Sequence, residues 1–192
     1  MSSLRERRRQ RTEETIRHAA VDLASELGLD NVTTDMISKA AGISPRTFFN
    51  YFSYKEAAFL PPALNFPEGD VERFTQGTGT LLADITSLMK PLIDQIGDDR
   101  DFVRRTHEIA NANPKLLLLR ISAFHEFEVI IAGLIEKRLA FNNESGDACH
   151  MAALISASIR RGFEVWVTSE SKSVGRCITA KIEAISTIFP AR

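Results

Sequence analysis

Two short helix-forming segments stand on either side of Gly42, and this pattern constrains the fold more than any other part of the sequence. Thr33 is placed to cap the first segment, because its side-chain oxygen can accept a hydrogen bond from an amide of the first turn. Ser44 followed by Pro45 begins the second segment, which we expect to end near Phe52, since proline suits the first position of a helix. Gly42 supplies the tight turn between them. The spacing predicts a helix-turn-helix.

Helical segments also flank this pair. Apolar residues recur at helical spacing over residues 13–28, which predicts a first helix that ends at Gly28. Lys55 predicts the start of a fourth helix, which the two prolines after Leu60 end or kink. Residues 1–60 are therefore expected to form one small helical domain.

The helix after Gly42 has one apolar face and one face that we expect to be exposed. The inward positions are Ile43, Phe48 and Phe52, and the outward positions near its start are Pro45, Arg46, Phe49 and Asn50. An exposed phenylalanine suits the major groove of DNA, where it can contact a thymine methyl group. Arg46 can bond a guanine in a bidentate manner, which is worth roughly 1–3 kcal/mol of discrimination. The alternative is a simple three-helix bundle in which Phe49 is a core residue.

Composition bounds the class of protein. The chain has 192 residues, 44% hydrophobic and 26% charged, with a net charge of −1, which argues against a disordered or fibrous chain. The charge is uneven, because residues 1–17 hold six arginines against three glutamates, as expected where one end of a protein meets a polyanion. The alternative is a solvated, frayed terminus.

The sequence also bears on compartment and cofactors. Cys149 and Cys177 show no zinc-ligand spacing, and no apolar segment has the length and flanks of a signal peptide or a membrane span. We therefore expect a cytoplasmic protein without a membrane partner, a metal or another cofactor.

Residues 61–192 are predicted to form a second, larger domain. A stretch rich in Gly, Pro and Thr, residues 63–80, is expected to be the linker, and helical periodicity resumes after it. The expected fold class is all-α: an N-terminal three-helix helix-turn-helix domain followed by a larger C-terminal helical bundle, with about nine helices in total.

One segment of this larger domain, residues 114–141, is apolar around most of its circumference, as expected for the central helix of a bundle. Its polar residues, Arg120, His125, Glu126 and Glu128, cannot all face solvent, so we expect one or two of them to point into a cavity. The candidate ligand-pocket residues are His107, Arg120, Phe124, Phe127, Glu128 and Trp166. The alternative for His107 and His125 is an ordinary core or surface histidine.

An apolar stripe marks the last two helical segments. Its residues are Leu154, Ile178, Ile182, Ile185 and Phe189. Such spacing is typical both of an internal bundle face and of a dimer interface, and periodicity does not distinguish the two.

Residues 32–57, VTTDMISKAAGISPRTFFNYFSYKEA, resemble the DNA-binding signature of the tetracycline-repressor (TetR) family. The resemblance implies phosphate contacts from Thr33, Thr47, Asn50, Tyr51 and Lys55, and base contacts from Pro45, Arg46 and Phe49. This division is physically sensible, because phosphate contacts set the register and side chains near the start of a recognition helix reach base edges. Three residues depart from the family pattern. Arg46 replaces a small residue, Phe49 a tyrosine and Asn50 a frequent histidine, so the operator sequence does not transfer from relatives.

The resemblance also implies roles for the larger domain. Members of the family usually dimerise through their final two helices, which favours the dimer interpretation of the apolar stripe. The segment of residues 160–166 and the pair Asn113-Pro114 are similar to the C-terminal domain of mycofactocin-regulator-like members, which implies a fatty acyl-coenzyme A thioester as inducer.

The leading hypothesis is therefore a homodimeric repressor that binds a palindromic double-stranded DNA operator and is released by a small apolar or acyl-type ligand. Two alternatives remain. One is a helical enzyme that uses the C-terminal cavity, although no catalytic motif is recognised. The other is a sequence-indifferent DNA-binding protein, which would show little preference for an operator over random DNA.

Overall fold

The structure is a computed structural model, and it describes residues 4–61, 66–96, 99–169 and 173–188. These residues contain nine α-helices and two short 3₁₀ helices. The helices are α1 (Leu4–Leu27), α2 (Thr34–Ala40), α3 (Pro45–Phe49), α4 (Glu68–Thr75), α5 (Leu81–Ile96), α6 (Arg100–Ala112), α7 (Pro114–Asn142), α8 (Ala148–Thr168) and α9 (Val174–Ile188), and the 3₁₀ helices are Leu29–Asn31 and Lys55–Phe59. The predicted all-helical class is confirmed. Within the described ranges no helix is both long and apolar enough to cross a membrane.

Four boundaries differ from the sequence pattern. Helix α1 begins at Leu4, nine residues before the predicted start, because the arginine-rich segment is also helical. Helix α3 ends at Phe49 rather than near Phe52, since Asn50 caps it. The predicted fourth helix is the 3₁₀ helix Lys55–Phe59, and the expected linker contains α4.

The chain divides into two compact units. The N-terminal unit comprises Met1–Pro61 and Asp101–Ile121, and the C-terminal unit comprises Pro62–Arg100 and Ser122–Arg192. Helix α7 therefore contributes its first residues to one unit and the rest to the other. The sequence pattern assigns all of residues 61–192 to the larger domain, and it gives no sign that residues 101–121 pack with the helix-turn-helix.

The core of the N-terminal unit joins all of its helices. Ile16, Ile37 and Phe48 are fully buried in it, and Leu116 of α7 joins the same cluster. The His18 ring lies 4.1 Å from the Phe102 ring, centroid to centroid. Segment 101–121 thus completes the core on which the helix-turn-helix rests.

In the C-terminal unit, α8 and α9 pack closely at Gly162. A Cβ added there would lie 2.5 Å from the Cα of Ile178, so only glycine permits this approach. Elsewhere in this unit, Arg138 is buried, and its guanidinium donates to the carbonyl oxygens of Phe74 (2.6 Å) and Gly79 (2.8 Å). It also forms a 2.7 Å ion pair with Asp84. Arg138 therefore holds the segment between α4 and α5 against α7.

Candidate nucleic-acid interface

The start of each helix in the helix-turn-helix is capped by a side chain. The backbone N–H of Met36 donates to Thr33 Oγ1 at 3.2 Å, and the N–H of Thr47 donates to Ser44 Oγ at 3.0 Å. The hydroxyls of Ser44 and Thr47 lie 2.8 Å apart, and Pro45 occupies the first position of α3. Both caps follow the sequence prediction, because capping depends on residues three positions apart.

The turn between α2 and α3 requires glycine at residue 42. Gly42 has a φ of +68°, which is the left-handed conformation that other residues rarely adopt. The N–H of Ile43 then donates to the carbonyl of Ser38 at 2.9 Å. The turn therefore sets the direction in which α3 leaves α2.

Helix α3 presents one face to the core and one face to solvent. Phe48 is fully buried and its ring lies 5.6 Å from the Phe52 ring. Phe49 is 53% exposed, and its ring meets Phe48 edge-on at 5.5 Å. Pro45, Arg46 and Asn50 are exposed as well. The predicted outward face is confirmed, and the alternative in which Phe49 is a core residue is wrong.

Lys55 has a structural role that sequence reasoning missed. Its Nζ donates to the carbonyl oxygens of Leu29 (2.9 Å) and Val32 (2.8 Å), which lead into α2. An ammonium group has three N–H bonds, so one has no acceptor within the described part of the chain and can contact a phosphate. Backbone acceptors more than 20 residues away leave no signal in the sequence.

Arg17 is a second residue that the sequence pattern did not single out. Its guanidinium donates to the carbonyl oxygens of Ala58 (3.2 Å) and Leu60, pairs with Glu13 at 3.0 Å and covers the Phe52 ring at 5.0 Å. Burial lowers the pKa of Arg17, and the hydrogen bond and charge of Glu13 oppose this effect. Arg17 fixes the end of the 3₁₀ helix Lys55–Phe59 against α1.

The Glu56 carboxylate links this 3₁₀ helix to α7. Lys115 Nζ lies 2.6 Å from Glu56 Oε1. Burial acts to raise the pKa of Glu56, but the hydrogen bond and charge of Lys115, together with a backbone hydrogen bond and the charge of Lys55, outweigh it and hold that pKa below its ordinary value. The ionised pair holds the start of α7 beside the helix-turn-helix.

A comparison with protein families finds a match for the helix-turn-helix. Residues 16–60 match the model of the N-terminal domain of bacterial regulatory proteins of the tetR family. This match covers less than a quarter of the chain, and it shows a tetR-type N-terminal domain at residues 16–60. The chain is also 36% identical over 59 residues to the HTH-type transcriptional regulator TcmR of Streptomyces glaucescens, and the match spans 31% of this chain and 26% of TcmR.

Solved structures of tetR-family regulators share the fold. The structure of SmeT, the repressor of the Stenotrophomonas maltophilia multidrug efflux pump SmeDEF, is similar with a TM-score of 0.57 and 17% identity, over 92% of this chain and 89% of SmeT. A complex of SmeT with triclosan gives a TM-score of 0.59 at 17% identity, over 92% of this chain and 90% of that one. The structure of Thermus thermophilus FadR, a TetR-family repressor in complex with lauroyl-CoA, is similar with a TM-score of 0.55 and 19% identity, over 94% of this chain and 96% of FadR.

The six candidate pocket residues fall in both units. His107 and Arg120 lie in the N-terminal unit, where Arg120 Nη1 is 3.1 Å from His107 Nδ1 and Arg120 Nη2 donates to Asn111 at 2.5 Å. The C-terminal unit contains Phe124 and Glu128, which are half-buried, and Phe127 and Trp166, which are buried. A surface depression of about 530 Å³ between α4 and α7 in this unit includes Val71 and Phe141 but none of the six. The four polar residues of α7 were not all expected to face solvent. Two of them, His125 and Glu126, are exposed.

The residues of the apolar stripe on the last two helices differ in burial. Ile178 and Ile182 are buried within the single chain, so their side chains belong to the core of the C-terminal unit. Leu154 and Ile185 are half-buried, and Phe189 lies outside the described residues. Ile178 and Ile182 were predicted to lie in a dimer interface, but they pack within the core of their own chain instead.

Proposed function

We propose that this chain is a homodimeric repressor that binds a palindromic operator. The observation that supports this most directly is the outward face of α3, where Arg46 and Phe49 are exposed while Phe48 anchors the helix from behind. A 53% exposed phenylalanine beside an exposed arginine suits a groove that offers thymine methyl groups and guanine acceptors.

The roles of the surrounding residues follow from their positions. Pro45, Arg46 and Phe49 are at the start and on the exposed face of α3, and we assign them to base edges. The proposed phosphate contacts are Thr33, Thr47, Asn50, Tyr51 and the remaining N–H of Lys55. Thr33, at the N-terminus of α2, is exposed while its Oγ1 caps that helix. A helix N-terminus favours a phosphate because its free amides and dipole are both positive.

Two copies would place two recognition helices on one face of DNA. Half-sites one helical turn apart require a separation of about 34–36 Å or a multiple of it. Because Ile178 and Ile182 are taken up by the core, we assign the dimer contact to the remaining stripe residues, Leu154, Ile185 and Phe189.

A small apolar or acyl-type ligand is proposed as the inducer. Trp166 is buried, and its Nε1–H has no hydrogen-bond partner among the residues that the structure describes. The Arg100 guanidinium lies 5.6 Å above its ring. An unpaired buried donor costs about 1–3 kcal/mol, so a ligand that supplies an acceptor would be favoured there. The ligands in the SmeT and FadR complexes, triclosan and lauroyl-CoA, combine apolar bodies with oxygen acceptors. Such a ligand shifts the population toward the DNA-free state only through unequal affinity for the two states.

The decisive experiment is selection of bound duplexes from genomic DNA, followed by footprinting. We expect an inverted repeat. Arg46→Ala should relax the preference at one base pair in each half-site and cost about 1–3 kcal/mol on the preferred sequence. Arg104→Ala on α6 removes the same charge from the N-terminal unit and should leave base preference unchanged.

Two results would contradict the proposed operator function. If footprints show no repeat, or if Arg46→Ala weakens every sequence alike, the protein is a sequence-indifferent binder instead. The ligand part is tested separately by adding lauroyl-CoA or triclosan to the operator complex and following release together with the fluorescence of Trp166, the single tryptophan of the chain. No release and no change in emission would exclude these two ligand classes.

A further inference from the structure

The first turns of α1 form a basic helical surface, and none of the base or phosphate contacts assigned above belongs to it. We call residues 4–12 the N-terminal arm. It holds five arginines against one glutamate, and all five arginines are exposed. The first fully buried residue of α1 is Ile16, which is also where the match to the family model begins. The arm therefore lies outside both the core and the family signature.

The charge pattern of the arm opposes its own helical structure. Arg5 and Arg9 are four residues apart, and so are Arg7 and Arg11, which places like charges side by side on the helix surface. Positive charge at a helix N-terminus also repels the positive end of the helix dipole. Both unfavourable interactions disappear when a polyanion lies along the arm. Local rules are broken in this way mainly at functional sites.

The arm adjoins the recognition helix. The Arg9 guanidinium lies 5.5 Å above the centre of the Tyr51 ring, and Tyr51 follows α3 after one residue. This cation–π contact holds the arm beside a residue already assigned to a phosphate. A helical stretch of nine residues is about 13 Å long. Each strand of DNA carries one phosphate per 3.4 Å of helix axis, so an arm that lies parallel to this axis spans the rise of roughly four phosphates.

We propose that the N-terminal arm is a second DNA-contacting element, which binds backbone phosphates flanking the bases that α3 reads. The inference rests on the proposed function for the partner, double-stranded DNA. The arginines of the arm contact the phosphate backbone, so the arm adds affinity and register but no sequence preference. Arg9 positions the arm through Tyr51, and Arg5, Arg8 and Arg11 supply the contacts.

The test compares two triple variants of the full chain. R5Q/R8Q/R11Q removes three exposed arginines from the arm, and R160Q/R161Q/R176Q removes three exposed arginines from α8 and α9. Both lose the same charge, and glutamine keeps a helix propensity close to that of arginine. Affinity for the selected operator and for a random duplex is measured over a series of KCl concentrations. Circular dichroism checks that both variants keep the wild-type helicity.

The arm variant should lower the slope of log affinity against log salt by about 1 to 2.7 per protomer, because each neutralised phosphate contributes about 0.9. Its affinity should fall by the same factor on operator and random DNA. The control variant should keep the wild-type slope. Equal slopes for all three proteins would overturn the proposal.

Two other results separate this proposal from its alternatives. If the arm variant keeps its DNA slope but loses binding to phosphatidylserine vesicles, the arm contacts lipid and the proposal is wrong. If wild-type protein shows no preference for a palindrome while the slope difference persists, the operator function fails and the arm assignment holds.

Discussion

Lys55 shows that one side chain of the interface can stabilise the fold and still contact DNA. Two of its N–H bonds end on the carbonyl oxygens of Leu29 and Val32, so it closes the loop that leads into α2. Family resemblance assigns Lys55 to phosphate alone. The structure explains why the Lys55 side chain lies where it does: its half-buried ammonium is held between two backbone acceptors.

We therefore predict that Lys55→Met lowers both stability and DNA affinity. Leaving two partly buried carbonyl groups without their charged donor should lower the free energy of unfolding by about 2–3 kcal/mol. The loss of affinity should be the same on every sequence, since a phosphate contact carries no base information. Lys39→Met, at an exposed position of α2, should change the unfolding free energy by less than about 0.5 kcal/mol. Urea unfolding that gives equal values for both variants would show that the carbonyl contacts contribute nothing.

At the scale of one element, the turn that aims α3 depends on backbone conformation alone. Gly42 has a φ of +68°, yet a Cβ added there would meet no atom of the described residues within 4 Å. Any penalty for a side chain at this residue therefore comes from the left-handed conformation and not from a clash. Gly133 in α7 is a useful comparison, because a Cβ added there is equally free of contacts with the residues that the structure describes, but its backbone is helical.

The two glycines should respond in opposite directions to the same substitution. Gly42→Ala should lower the free energy of unfolding by about 1–2 kcal/mol. Gly133→Ala should raise it by up to about 1 kcal/mol, because alanine is the better helix former. Chemical denaturation of both variants is the measurement. A destabilised Gly133→Ala together with a neutral Gly42→Ala would mean that space, and not backbone conformation, governs these positions.

At the scale of the whole molecule, the unit that carries the recognition helix is discontinuous in sequence. Residues 101–121 belong to it, and Leu116 of α7 is fully buried in its core. Leu118, two residues further along the same helix, is 68% exposed. The same substitution at these two leucines therefore separates core packing from any effect on helix formation.

Leu116→Ala should lower the free energy of unfolding by about 2–5 kcal/mol, because it leaves a cavity in a fully packed core. It should also reduce operator binding at temperatures near the new unfolding transition, although Leu116 has no proposed DNA contact. Leu118→Ala should change stability by less than about 0.5 kcal/mol. Thermal unfolding and operator binding measured over one temperature series provide the check. A larger effect at Leu118 would contradict the assignment of residues 101–121 to this core.

Several features of the site could be predicted because they depend on near neighbours. The caps at Thr33 and Ser44, the turn at Gly42 and the exposure of Phe49 all follow from spacings of three or four residues. The start of α1 could not be predicted in the same way. Its arginine-rich first turns lack an apolar face, so periodicity gave no sign of a helix there.

The sequence by itself determined that the chain is all-helical, where its helix-turn-helix lies and which side chains of α3 face outward, because periodicity, capping and turn conformation act over a few residues. Only the tertiary structure decided that residues 101–121 complete the core under the recognition helix, that Ile178 and Ile182 are internal, and that Lys55 and Arg17 bind distant carbonyl groups. Those outcomes depend on which surfaces meet in space, and apolar stripes of equal period fit a core or an interface equally well.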